Sequence, residues 1–460
     1  MRFSPATTPI LCALLTCLGT GCAEELPGTS PIEDQLHYPM GMAIVGDALL
    51  VVNSNFDQRY NSGTITALSL TAIGAQVAAA GAEPLIPTTL PGTGRSRARI
   101  PAFGADLLAI GAGPADVFVA SRGTGRVTRL RLEGTTIRCD TAGVAAQEAT
   151  DCSPGHIVET GESDAFALAF LPTVGSAGTL AVGHLASNSD SITRLTVIDR
   201  ATFDRRLTEE PGGTLIDPAT PFAFFAEGII GLAAVSSDPG LLFGGVANGG
   251  LAAGTLIPLR VKAVTATVTT VSAESALLLG QDTLAAGTRG LVLSADAKRA
   301  YVSLRIRVRD SVGGLSGPAL FNSAIAVVDT TSRATLAVLE VGEELGKPML
   351  IERAGARTLY VPDLRSSELF ALDVTEDAPL LRAVLSPRAV IGGQTRELLS
   401  GPYEMVVAPA PIGGRTLAFV SNFANSTLAV IDVSDADPAK HRIIARLGRA
   451  LSDDGTTEAP

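Results

Sequence analysis

Asn53, Asn55 and Asp57 alternate along the stretch VVNSNFDQRY, residues 51–60. Alternating side-chain oxygens are what a calcium ion takes as ligands, so calcium is the one metal this chain offers a candidate site for. Only Asp57 carries charge, however, and no glutamate follows at the spacing of a bidentate ligand. No other cofactor and no catalytic set is expected. Of the four histidines, His37, His156, His184 and His441, only His156 has cysteines near it, and two cysteines make only half a zinc site; zinc, copper or haem chemistry usually needs more such ligands. Neither a Gly-x-Ser-x-Gly elbow nor a Gly-x-x-x-x-Gly-Lys loop occurs. SRGTGR, Ser121 to Arg126, precedes a strand pattern rather than a helix and reads as a hairpin turn, not a phosphate cradle. In RIRVRD, Arg305, Arg307 and Arg309 share one strand face, a solubilising edge before an anion site. Other polar residues fall in stretches like the first, among them Asn188, Asp310 and Asn425. The residues put forward for a funnel ligand site are Asn53, Asn55, Asp57, Arg59, Arg122, Asp190, Asp363, Arg365 and Asn422. The competing explanation for each is that Asn and Asp tolerate turn geometry.

These residues sit in units that recur. The grammar is a short apolar strand, a turn, an alternating strand, a polar turn and another alternating strand. It appears at 38–70, 113–132, 164–199, 226–261, 288–341, 347–374 and 402–433. FVSNFANSTLAVIDV near the end repeats the Ser-Asn-Phe of the first unit. Period-two patterning broken by Gly, Asn, Asp and Ser means antiparallel hairpins, and no segment shows a capped 3.6-residue period. The expected fold is all-β, with four-stranded antiparallel blades that must stack on one another to bury both faces. The span 76–100 is left without an element.

YVPDLRSSELFALDV and FVSNFANSTLAVIDV resemble the Tyr-Val-Thr-Asn repeat family. That resemblance implies a seven-bladed β-propeller over residues 38–448, often exported or surface-attached, with lactonases among relatives of the fold. Unit four departs from the pattern, reading FGGVANGG where the turn should be.

The N-terminus points to export. Arg2 precedes the nine-residue apolar run ILCALLTCL, too short to span a membrane and typical of a signal peptide. LGTGC, ending at Cys22, resembles a bacterial lipoprotein signal, although Gly19 stands where a leucine is usual. Residues 1–21 would be removed and Cys22 acylated, anchoring the chain to the cell envelope on the outer-membrane side. Residues 22–37 then read as a tether and 449–460 as an acidic disordered tail. Cys139 and Cys152 remain as an even pair, which an exported chain joins as a disulfide. A net charge of −11 argues against nucleic acid. The reading is a monomeric, lipid-anchored binding or scaffold protein whose partner is an envelope protein or surface ligand. Its alternative is a lactonase-like enzyme on a small sugar acid, working with a metal or a general base and needing two or three of Asp57, Asp190, Asp310, Asp363 and a histidine to converge.

Overall fold

The computed structural model describes residues 29–450 apart from 33, 79, 82, 88, 92–95, 140–149, 152–155, 176, 186–194, 206, 209–227, 247–253, 264–267, 280–284, 308–320 and 354. Residues 1–22, Cys152, Asn188, Asp190, Arg309, Asp310 and the tail from 451 therefore lie outside the described residues.

Among the described residues seven β-sheets, each with an antiparallel body, follow one another in chain order, and an eighth, two-stranded sheet of Arg388–Ile391 and Gln394–Glu397 lies between the last two. Blade 1 runs Pro39–Val45, Ala48–Asn53, Gly63–Ser69 and Ser96–Ile100. Blade 2 runs Gly104–Ile110, Ala115–Ser121, Arg126–Glu133 and Ile157–Glu159. Blade 3 has Ala165–Leu171, Thr179–His184 and Leu195–Asp199, with a bridge from Ile198 to Arg205 marking the fourth strand. Blade 4 has Ile229–Ala234, Leu241–Val246, Thr255–Ala263 and Val268–Ala273. Blade 5 has Ala285–Leu293, Arg299–Arg307, Phe321–Asp329 and Ala334–Glu340. Blade 6 has Met349–Arg353, Ala356–Asp363, Glu368–Asp373 and Leu380–Leu385. Blade 7 has Pro402–Val407, Leu417–Asn422, Thr427–Asp432 and Arg442–Leu447. Each unit read from sequence falls in one blade, although 113–132 holds only the second and third strands of blade 2. The first strand of each blade packs beside the first strand of the next, and blade 7 returns to blade 1, so the ring is a seven-bladed β-propeller.

The period-two pattern produces this because each strand must bury both faces. Leu49 and Val51 enter one core with Phe419 and Leu428 of blade 7, while Leu50 and Val52 enter another with Val117 and Val119 of blade 2. The innermost strands approach closely. A Cβ on Gly41 would lie 2.9 Å from the Ala105 carbonyl of blade 2, and one on Gly290 2.8 Å from the Lys347 Cα.

Blade 7 has four strands of its own, and among the described residues no N-terminal strand is borrowed to close the ring. The seam is clasped instead by the span between the third and fourth strands of blade 1, part of which sequence left unassigned. It opens with the helix Leu70–Val77, whose N-cap Ser69 accepts the Ala72 N–H. Ile73 and Val77 drop into the core shared by blades 1 and 7. The helix escapes period analysis because it has only eight residues. Leu85 then lies parallel to the blade 7 rim: its N–H donates to Ile444 O at 2.9 Å and its carbonyl accepts from Arg446 N at 2.9 Å.

Residues 29–37, expected as a tether, lie against blade 1. Leu36 is fully buried, and the Arg97 guanidinium donates to the Ile32 and Gln35 carbonyls at 2.6 and 2.8 Å. Polar, proline-containing composition conceals this because the contacts are made by backbone carbonyls. No described helix is long and apolar enough to cross a membrane.

Candidate functional site

The last residue of the second strand does the same work in several blades. Asn53 Oδ1 accepts the His37 N–H of the segment entering blade 1 at 3.3 Å, and its Nδ2 donates to Thr64 and Thr66 hydroxyls at 3.0 and 3.1 Å. Asn422 accepts the Ser400 N–H of the link into blade 7 at 3.4 Å and donates to Thr427 Oγ1 at 3.0 Å. Asp363 accepts the Glu343 and Glu344 N–H groups of the link into blade 6, at 2.6 and 3.2 Å, and those of Arg365 and Ser366. In blade 3, His184 bonds Ser163 O at 3.0 Å and Thr196 Oγ1 at 2.9 Å. One position thus ties the incoming link to the third strand or, at Asp363, to the polar turn. Asn and Asp recur there because a backbone link presents N–H groups that need a buried acceptor.

The remaining site residues are dispersed. Asn55, at a φ of 51°, bonds both backbone groups of Tyr60. Asp57 pairs with Arg59 at 3.4 Å, and Arg365 with Glu343 at 3.1 Å on a different blade. The Ser121–Arg126 turn is a hairpin turn closed by the Gly125 N–H on Arg122 O at 3.0 Å. Among the described residues no group of three His, Cys, Asp or Glu could hold a metal. Cys139 packs against the core between blades 1 and 2; Cys152, its expected partner, lies outside the described residues.

Two arrangements were missed from sequence. The first is aromatic. The phenylalanines of the two Ser-Asn-Phe stretches, Phe56 and Phe423, meet at 5.5 Å across the seam between blades 1 and 7. Phe56 also touches Tyr38 at 6.3 Å and Phe103 at 5.8 Å, and Tyr38 touches Phe423 at 5.2 Å. Phe56 is 48% exposed. All four rings stand on second-to-third-strand turns or on links between blades, hence on one face of the ring. The recurrence of Ser-Asn-Phe was visible in the sequence; attention to its polar members hid the ring.

The second is ionic and central. Lys347 Nζ, just before the innermost strand of blade 6, bonds Asp106 Oδ1 of blade 2 at 2.9 Å and Glu404 Oε1 of blade 7 at 2.6 Å. Asp106 also accepts the Leu168 N–H of blade 3 at 2.8 Å, and Glu404 the Met42 N–H of blade 1 at 2.7 Å. Five blades are joined through three side chains. Burial raises the Glu404 carboxyl against the opposing pull of Lys347. Lys347 is held charged because the attraction of both carboxylates outweighs the cost of its own burial. Beside them Tyr403, its hydroxyl pushed up by burial, packs with Phe166, over which Arg122 stacks at 5.4 Å from the ring centre. Among the described site residues read from sequence, Arg122 is thus the one placed next to this cluster. The side chain of Lys347 is 37% accessible to solvent, and the innermost strands around it line the centre of the ring.

Fold and central cluster together define a propeller closed by a clasp. No family model matches the chain, and no curated protein matches it. Solved structures do. Hydrazine synthase of Kuenenia stuttgartiensis shares 11% identity at a TM-score of 0.54, covering 89% of this chain and 99% of that one. A hypothetical selenium-binding protein of Sulfolobus tokodaii shares 9% at 0.51, covering 90% of each. The periplasmic gluconolactonase of Pseudomonas aeruginosa shares 14% at 0.35, covering 72% of this chain and 99% of that one. Likeness at these identities extends to the fold and not to activity.

Proposed function

We propose that this chain is an envelope-attached binding or scaffold propeller that engages a partner protein on the face carrying Phe56. Residues 1–21 direct export, Cys22 carries the lipid, and Cys139 pairs with Cys152. The observation that carries the reading is the platform of Tyr38, Phe56, Phe103 and Phe423 with its central ring about half exposed. Large aromatic rings left at a surface are what protein interfaces concentrate. The platform straddles the seam, where Asn53 and Asn422 brace the segments that enter blades 1 and 7. The test is chemical cross-linking in intact cells with recovery of the chain and identification of what accompanies it. A reproducible envelope protein that disappears with Phe56→Ala is expected; a chain recovered alone, or with the same company after the substitution, overturns the reading.

The alternative of a lactonase on a small sugar acid draws on the centre of the ring, where Asp106, Glu404 and Tyr403 surround Lys347. It requires the purified chain to hydrolyse an aldonolactone and to lose that rate in Glu404→Gln.

A further inference from the structure

The outermost strands of blades 5, 6 and 7 share a bulge. In blade 7 the register shifts between Val430 and Ile431, leaving Ile444 as the extra residue. In blade 5 the shift falls between Val327 and Val328, with Leu336 extra. In blade 6 it falls between Ala371 and Leu372, with Arg382 extra. On blade 7 the chain shows what such a rim accepts. Leu85 docks there through the carbonyl of the bulged residue Ile444 and the N–H two places on, at Arg446. The docking segment reads Pro84-Leu85-Ile86-Pro87. Leu85 packs into the core of blades 7 and 1, and Ile86 into that of blades 6 and 7. A bulge therefore does not block pairing in this protein, although bulges commonly protect edges.

By register, the equivalent groups are Leu336 O and Val338 N on blade 5, and Arg382 O and Val384 N on blade 6. No segment outside the sheet bonds to them among the described residues. Apolar side chains flank them in the open: Leu336 is 37% exposed, Val338 41%, Leu380 51%, Leu381 43% and Val384 44%. The one charge at these two bulges is diverted, since Arg382 turns onto Asp373 at 2.7 Å. Blades 1 and 4 have their rims covered as blade 7 does, by parallel pairing of Thr150–Asp151 on Ser96–Ile100 and of Leu207–Thr208 on Val268–Ala273.

We infer that the rims of blades 5 and 6 are docking strips for an extended, proline-flanked apolar segment of a partner protein, seated as Leu85 is seated on blade 7. Prolines suit the occupant because they hold it extended and leave a single bridging residue to exchange hydrogen bonds with the rim. This surface is separate from the aromatic platform, and neither depends on the other.

The probe is a synthetic peptide of residues 81–90 with photo-leucine at position 85, added to the whole chain and mapped after irradiation by mass spectrometry. Labelling of 334–340 and 380–385 is expected, falling at least fivefold in the double variant Val338→Pro, Val384→Pro. Those two N–H groups point away from the sheet, so proline there spares the ladder. The variant Val338→Lys, Val384→Lys gives the same loss while keeping the backbone free of proline. Labelling absent from both rims, confined to 442–447 through exchange with the chain's own Leu85, or unchanged in both variants overturns the inference. Phe56→Ala leaves the labelling as it was, which separates this result from the fate of the platform.

Discussion

Blade 7 and blade 5 end in outermost strands with the same bulge, yet one rim is sealed and the other bare. The difference lies in another blade: the clasp that covers blade 7 is carried by blade 1. Ring closure here is a matter of side-chain burial and two backbone bonds contributed by an insert, not of strand exchange. The same seam carries the aromatic platform, so the junction that the clasp covers on the rim also presents Phe56 to solvent on one face. The bare rims show the converse, apolar side chains without a cover.

Ile73→Ala breaks this comparison most directly, because it opens a cavity in the core of blades 1 and 7. It should cost roughly 3–4 kcal/mol, whereas Val390→Ala, at a side chain 65% exposed beside blade 6, should stay within about 0.5 kcal/mol. Denaturant midpoints compare the two; equal shifts would mean that the clasp holds nothing. Lys347→Met comes next. It leaves Asp106 and Glu404 facing each other at the centre of the ring and should cost about 3 kcal/mol, the low end for a broken buried pair because water reaches Lys347. Replacing all three by apolar residues should recover most of that loss, which distinguishes an uncompensated charge from lost packing.

Acid tests the segment entering blade 1. Burial, helped by Arg97, lowers the His37 ring from 6.5 to about 4. Between those values the unfolded chain binds a proton that the folded chain refuses, so stability falls as pH drops from 6.5 toward 4. The loss is at most about 3 kcal/mol, and His37→Gln should flatten that part of the stability profile. His441, also lowered by its burial, adds a slope of the same sign. Smaller still is Asn422→Ala, which strands the Ser400 N–H and the Leu398 carbonyl and should cost about 1–2 kcal/mol. If Asn53→Ala is silent where Asn422→Ala is not, the bracing role is not shared between the two seam blades.

The propeller was legible because its strands bury both faces and repeat their turns, and Ser-Asn-Phe needed no structure to be recognised as recurring beside a turn. The clasp was not legible. Its helix is too short for a period, and Leu85 binds through backbone atoms flanked by prolines that read as loop. The central cluster was hidden for another reason. Asp106 and Glu404 are lone charges in apolar strands and Lys347 stands in the link before one, 241 residues from Asp106, and only closure of the ring brings them together. Asn53, Asp363 and Asn422 were singled out as polar residues at recurrent turns, and they do recur, as braces on the incoming link.

The claim that binding occurs on the Phe56 face is tested most directly by a photoreactive amino acid at position 56 in living cells, with position 376 on the opposite face as the reference. The account predicts one reproducible adduct with an envelope protein at 56 and none at 376. Equal adducts at the two positions, or none at 56, would contradict it.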